Sequence, residues 1–186
     1  MKELALILLL CAFSLPSVSQ PPPLDSQLQA QSDVRALKHG RRKPAIFSLH
    51  KNALNAIPAL IEAIDDKDPF DQIELKNPIL SGVPKEAFQK TYMGVLAAYT
   101  IELILGKEAL RGNQNALSPR LDPEDCVYDF GILHRDGETI TRDDLAKVKA
   151  LYQKWWDTNK DKSLQELRQE WIHNKRPLSG TPYRWY

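Results

Sequence analysis

The sequence predicts a mainly α-helical fold, a compact bundle around one central apolar helix with a single small β-hairpin near residues 126–141. Apolar residues recur at the three-and-four spacing of helices along most of the chain. The segment Met93–Leu105 is apolar almost without interruption, which is typical of a helix in the middle of a bundle. Alternation of apolar and polar residues, the pattern of strands, occurs around Arg135–Glu138, which has the composition of a tight turn.

The first nineteen residues have the pattern of a removable secretory signal. Lys2 provides a positive start, an apolar run follows from Leu4 to Phe13, and Pro16 precedes small residues that end at Ser19. The run is too short to cross a bilayer. We therefore expect cleavage near Ser19 and export to the periplasm or the medium. The alternative is that this segment is an N-terminal helix of the fold.

The chain behind the signal divides into a leader and one domain. Residues 20–31, rich in Pro and Gln, predict a flexible leader, and residues 32–186 predict a single globular domain. A short first helix is expected to begin near Asp25, inside the leader, or near Ser32. Cleavage would leave Cys126 as the only cysteine, either a small buried hydrophobe or a reactive thiol. A net charge of +1 does not suggest a nucleic-acid binder.

The remaining elements follow from local patterns. An apolar stripe predicts a helix over residues 47–64, broken where Pro58 opens a second segment that ends at Asp65. Pro84–Leu105 predicts the central helix. Capping patterns at Thr141–Asp144 and Ser163–Glu166 predict the starts of the last two helices.

Glu102 interrupts the apolar run of the central helix, and it allows two interpretations. It belongs to a thin stripe of small or polar side chains, which favours an exposed position. Alternatively, it is a buried carboxylate whose raised pKa would suit a proton donor. The stripe consists of Thr91, Val95, Ala98, Glu102 and Gly106.

The aromatic residues are concentrated at the carboxyl end, where all four tryptophans lie within the last 32 residues. They predict either a core built around indole rings or an exposed anchor for a partner made of Tyr183, Trp185 and Tyr186. A basic stretch over residues 35–43 adds Arg41 and Arg42 as candidate partner-binding residues, because such clusters bind phosphates or anionic lipid.

The motifs with catalytic or metal-binding chemistry are incomplete. Asp157–Asp161 resembles the start of a calcium loop, but Lys162 occupies the glycine position and Arg168 the position of the closing Glu, which predicts a helix–helix turn instead. A dyad of Cys126 and His134 remains open. No pattern predicts a metal or a cofactor.

These observations predict an exported, periplasmic, non-catalytic protein that binds another protein or a component of the cell envelope, with no nucleic-acid partner and no membrane span in the mature chain. Such a small helical domain is similar in type to the immunity proteins that neutralise toxins delivered between bacteria, although no residue carries over. The alternative is a small cell-envelope hydrolase that uses Glu102 or Cys126.

Overall fold

The computed structural model describes residues 24–39, 42–70, 91–112 and 131–185. These form a mainly helical structure, as predicted, with two two-stranded antiparallel sheets where a single hairpin was predicted. The predicted signal over residues 1–19 and Cys126 lie outside the described residues. In chain order the elements are α1 (Leu24–Lys38), α2 (Arg42–Asn52), a 3₁₀ turn (Ala53–Ala56), α3 (Ile57–Glu62), β1 (Pro69–Phe70), β2 (Thr91–Tyr92), α4 (Met93–Gly112), β3 (Ile132–His134), α5 (Asp144–Asn159), α6 (Leu164–Ile172) and β4 (Tyr183–Trp185).

The first two helices form an antiparallel hairpin. The Asn52 side chain donates to the Ser26 carbonyl at 3.0 Å, and the Ser48 hydroxyl donates to the Asp33 carboxylate at 2.7 Å. Residues 24–31, predicted as part of a flexible leader, are instead the first two turns of α1, which agrees with a helix start near Asp25 and not with one near Ser32. They are helical because α1 buries one face, and packing of such a face contributes more to helix stability than propensity does.

The break between α2 and α3 occurs where it was predicted. Ala53 has a φ of +47°, a left-handed conformation that cannot continue an α-helix. α3 then begins at Ile57, with Pro58 in its first turn, where the missing N–H of proline removes no helical hydrogen bond.

The central helix α4 begins later than predicted. Thr91 and Tyr92, assigned from the sequence to the helix, form β2, which pairs with β1. The Met93 amide donates to the Asp68 carbonyl at 2.9 Å and therefore has a partner that the first turn of a helix cannot supply itself. α4 continues past Leu105 to Gly112.

Gly94 permits a close approach between α4 and the chain that follows α3. Its amide donates to the Asp66 carbonyl at 3.0 Å, and a Cβ atom at this position would lie 1.8 Å from the Ile64 carbonyl oxygen. Glycine is required here by the space available, since any other side chain would overlap backbone atoms at the end of α3.

The predicted β-turn is present, but the main partner of its first strand comes from the tail of the chain. Gly137, with a φ of +97°, closes the turn that follows β3, and Leu133 forms a bridge with Thr139. β3 also pairs antiparallel with β4, in a register that places Ile132 opposite Trp185. The sequence did not predict β4, because three residues beside Pro and Gly are too short a pattern.

The hydrophobic core surrounds α4, whose fully buried side chains contact the other helices. Gly106 of α4 receives the indole ring of Trp171 from α6, because a Cβ at Gly106 would lie 2.7 Å from that ring. No helix among the described residues is both long and apolar enough to cross a membrane. Among the described side chains of α4, those with no exposed surface are Leu96, Ala98, Thr100, Ile101, Ile104 and Leu105.

Candidate functional site

Glu102 is buried, so the prediction of an exposed position is wrong. Only 2% of its surface is exposed, and Val95 and Ala98 of the same stripe are equally buried. The described small residues of the stripe, Val95, Ala98 and Gly106, do not face solvent, because other elements pack against this side of α4, and at Gly106 the ring of Trp171 occupies the space of a side chain.

Both oxygens of the Glu102 carboxylate accept hydrogen bonds from aromatic side chains. The Tyr152 hydroxyl of α5 donates to Oε1 at 2.7 Å, and the Trp171 indole N–H of α6 donates to Oε2 at 2.6 Å. The Trp185 indole N–H of β4 in turn donates to the Tyr152 hydroxyl at 3.1 Å. The carboxylate therefore joins three separate elements to α4.

Burial dominates the ionisation of this group. Loss of hydration raises the pKa of Glu102, although its hydrogen bonds and the positive charge of Arg176 oppose that rise. Burial and the neighbouring carboxylate also raise the pKa of the Tyr152 hydroxyl well above its ordinary value. The Arg176 guanidinium lies 4.0 Å from the centre of the Trp171 ring and covers it. A substrate cannot reach the carboxylate in this conformation, because protein groups occupy both of its oxygens.

A second buried carboxylate, Asp144, lies at the start of α5 and accepts from five donors. Oδ2 accepts from the Thr141 amide at 2.9 Å and its hydroxyl at 2.8 Å, and lies 3.1 Å from His134 Nε2. Oδ1 accepts from the Lys147 ammonium and the Tyr183 hydroxyl, each at 3.1 Å. Burial alone would raise the pKa of Asp144, but these donors hold it well below its ordinary value.

The Asp144 cluster connects β3, β4 and α5. The His134 side chain is 28% exposed, and its ring lies 5.0 Å from the ring of Tyr183. The proposed partner of His134 in a nucleophilic dyad, Cys126, lies outside the described residues, so that dyad stays a prediction. The chemistry that the described residues support is orientation of His134 by Asp144.

Tyr183 and Trp185 belong to the core, so the interpretation of these two rings as exposed anchors is corrected. Each is 4% exposed. Because they are two positions apart on β4, they lie on one face of the strand, where Tyr183 binds Asp144 and Trp185 binds Tyr152. The spacing Tyr183–x–Trp185 was the available signal in the sequence.

Three other candidate residues cannot be placed. Tyr186 and Arg41 lie outside the described residues, and the structure describes the backbone of Arg42 but not its side chain.

The calcium-loop-like segment holds an ammonium group among its oxygens. Lys162 Nζ donates to Asn159 Oδ1 at 2.7 Å and to the two Glu170 carboxylate oxygens at 2.8 and 2.7 Å. The same contact lowers the pKa of Glu170. Asp157–Asn159, predicted as part of a helix–helix turn, are the last residues of α5, and the turn to α6 lies at Lys160–Ser163. In the ranges that the structure describes, no group of three or more His, Cys, Asp or Glu residues is arranged to hold a metal ion.

The large hydrophobic side chains that are exposed in the described residues all lie on the α1–α2 hairpin. They are Leu24 at 69%, Leu28 at 55% and Phe47 at 75% exposure. Leu24 and Leu28 fall in the predicted leader, although their spacing of four residues was a signal for one helical face. Phe47 falls at the start of the predicted helix over residues 47–64, and the sequence carries no signal for its exposure. We name the exposed stripes of both helices the outer face, and it consists of Leu24, Leu28, Gln31, Arg35, Pro44, Phe47 and Lys51.

Comparison with known proteins gives a family match. Residues 30–186 match the model of a family described as a domain of unknown function, DUF4943. No curated protein and no solved structure matches the chain.

Proposed function

The chain belongs to the DUF4943 family, and we propose that it is an exported, non-catalytic binding protein. Its partner is a protein or a component of the cell envelope, and the outer face of the α1–α2 hairpin makes the contact. Export rests on the signal-like pattern of residues 1–19.

The observation that carries the proposal is the location of the exposed hydrophobic side chains. Single exposed apolar residues are ordinary on protein surfaces. Here, however, Leu24, Leu28 and Phe47 lie on two helices that pack against each other, and Phe47 exposes three quarters of its surface on α2. A group of exposed apolar residues is typical of an interaction site, and aromatic rings contribute strongly to binding.

The two buried carboxylates support a non-catalytic role. Glu102 and Asp144 accept hydrogen bonds from protein donors on both of their oxygens, and each is at most 4% exposed. An envelope hydrolase that used Glu102 would have to separate α4 from α5 and α6 before a substrate could reach the carboxylate.

The test is retention of an envelope component by the immobilised protein. We expect wild type to retain a component, identified by mass spectrometry, that the variant Leu24→Ser, Leu28→Ser, Phe47→Ser no longer retains. The control variant Gln165→Ser, Gln169→Ser changes two exposed positions of α6 and should bind as wild type. Equal retention by all three proteins, or none by any, would refute the proposal. Cleavage of cell-wall polymer that is abolished by Glu102→Gln would favour the hydrolase.

A further inference from the structure

We infer that the outer face of the α1–α2 hairpin binds the surface of an anionic lipid bilayer. This inference rests on the proposed function and names the envelope component that the hairpin contacts. It is carried by the distribution of charge, by the composition of the two exposed stripes and by the register of the hairpin.

Charge is unevenly distributed along the chain. The sequence from residue 24 to residue 52, which spans the hairpin, contains six Lys or Arg and two Asp, whereas residues 53–186 contain 18 Lys or Arg and 21 Asp or Glu. Three of the six basic side chains, those of Arg41, Arg42 and Lys43, lie outside the described part of the structure. Of the two acids of the hairpin, Asp33 is buried and accepts hydrogen bonds from Gln29 and Ser48. Lys38 pairs with Asp66 and Asp68, so it adds little to the excess. The hairpin is the basic end of a molecule whose remainder is acidic, which favours a negatively charged partner.

Each helix of the hairpin has apolar and basic residues on the same exposed stripe. On α1, Leu24, Leu28 and Arg35 share one side at helical spacing, opposite the buried residues. On α2, Phe47 and Lys51 are four residues apart and both exposed. Neither stripe contains an acidic residue. A surface that docks on an anionic bilayer needs both kinds of side chain, because apolar side chains enter the acyl boundary while basic groups contact the headgroups.

The register of the hairpin brings the apolar side chains of the two helices to a similar level. The hydrogen bond between Asn52 and Ser26 aligns the helices. From that point, Leu28 is two residues along α1 and Phe47 is five residues back along α2, which leaves an offset of about 5 Å along the axis, less than one turn. Leu28 and Phe47 therefore project at a similar level from neighbouring helices, and Leu24 lies about one turn further from Phe47 along the axis.

The same arrangement favours a bilayer over a protein. Gln31 and Arg35 continue the stripe of α1 beyond the two leucines, and Lys51 follows Phe47 on α2, so a basic side chain continues each apolar part of the outer face. A protein partner would need acidic groups placed to match these two cations as well as apolar pockets. An anionic bilayer offers headgroup charge and an acyl boundary at every point, so it needs no such match.

The experiment is sedimentation of the full chain with two kinds of vesicle, one of phosphatidylcholine alone and one of phosphatidylcholine and phosphatidylglycerol in equal parts. We compare wild type with the apolar variant Leu24→Ser, Leu28→Ser, Phe47→Ser and with the charge variant Arg35→Gln, Lys51→Gln. The matched charge control is Lys154→Gln, Lys160→Gln on exposed positions at the other end of the chain. All proteins carry the same residues 1–23, so any contribution of the apolar run from Leu4 to Phe13 is common to them. Circular dichroism verifies that each variant is folded.

We expect wild type to bind the anionic vesicles and not the neutral ones. Loss of Arg35 and Lys51 should weaken binding about tenfold or more, and the matched control should change it less than twofold. The apolar variant should lose binding at least tenfold. Equal weakening by both charge variants, or unchanged binding of the apolar variant, would overturn the inference. Retention of an envelope protein through the outer face without vesicle binding would refute the bilayer and leave the proposed function intact. Absence of both would refute both.

Discussion

Replacing Glu102 by Gln tests how the core holds a buried carboxylate. In the wild type, Tyr152 and Trp171 donate to its two oxygens. Glutamine keeps one oxygen acceptor for the Trp171 indole, which can only donate, and turns its NH₂ group toward the Tyr152 hydroxyl. A protonated Glu102 would present its O–H to Tyr152 in the same way. Glutamine therefore imitates the protonated acid, and the variant isolates the effect of the negative charge.

The magnitude follows from the linkage between protonation and folding. Because burial raises the pKa of Glu102 above its ordinary value of 4.5, the folded chain holds this proton more tightly than the unfolded chain does. The stabilising contribution is fully present below about pH 4.5 and is lost as pH rises through the pKa of the folded state. For one proton the slope is about 1.4 kcal/mol per pH unit. Glutamine does not titrate, so we expect Glu102→Gln to match the stability of wild type at pH 4. As pH rises from about 4.5 towards the pKa of the folded state, the free energy of unfolding of the variant should exceed that of wild type by about 1.4 kcal/mol for each further pH unit.

The assay is urea unfolding at one-unit steps from pH 4 to pH 8, comparing the free energy of unfolding of the two proteins at each pH. The difference between them removes the effects of other titrating groups. The variant Tyr152→Phe removes a donor that lowers the pKa of Glu102, so its loss of stability should extend to higher pH than that of wild type. A difference that does not change with pH, or one that changes with the opposite sign, would show that burial does not dominate this group.

Three further substitutions test other contacts. We expect Asp144→Asn to lower the free energy of unfolding by roughly 3 kcal/mol at neutral pH. Because the folded protein lowers the pKa of Asp144, the stabilisation by this carboxylate is complete above about pH 3.8 and decreases as pH falls below that value, so the cost should shrink on acidification. An unchanged acid-unfolding curve, followed by circular dichroism, would contradict this. Gly94→Ala should lower the free energy of unfolding by at least about 1 kcal/mol, because its Cβ would overlap the Ile64 carbonyl, although alanine has the higher helix propensity. A Tm equal to or higher than that of wild type would exclude the overlap. Lys162→Gln should lower the free energy of unfolding by about 1 kcal/mol, because it removes the ammonium that pairs with the partly exposed Glu170 carboxylate. Added calcium should not return the Tm to that of wild type.

Elements with local signals were predictable. The Ser163–Glu166 pattern predicts the start of α6, and the structure has both hydrogen bonds of that capping box. Pro58 predicts the break before α3, and the turn at Gly137 is present. Each of these signals involves residues within four positions of one another, so the interaction that produces the structure is itself contained in a short stretch of sequence.

Positions that depend on distant neighbours were not predictable to the same degree. Helical periodicity assigned Glu102 to a stripe of α4, but it carries no information on which sides of a central helix are covered by partners 50 and 69 residues away. Similarly, β4 is a strand only because β3 supplies its hydrogen bonds from a distant part of the chain. The helical class of the protein thus follows from local patterning, whereas the burial of its carboxylates and the exposure of its N-terminal hairpin were settled by long-range packing, since burial depends on which elements meet.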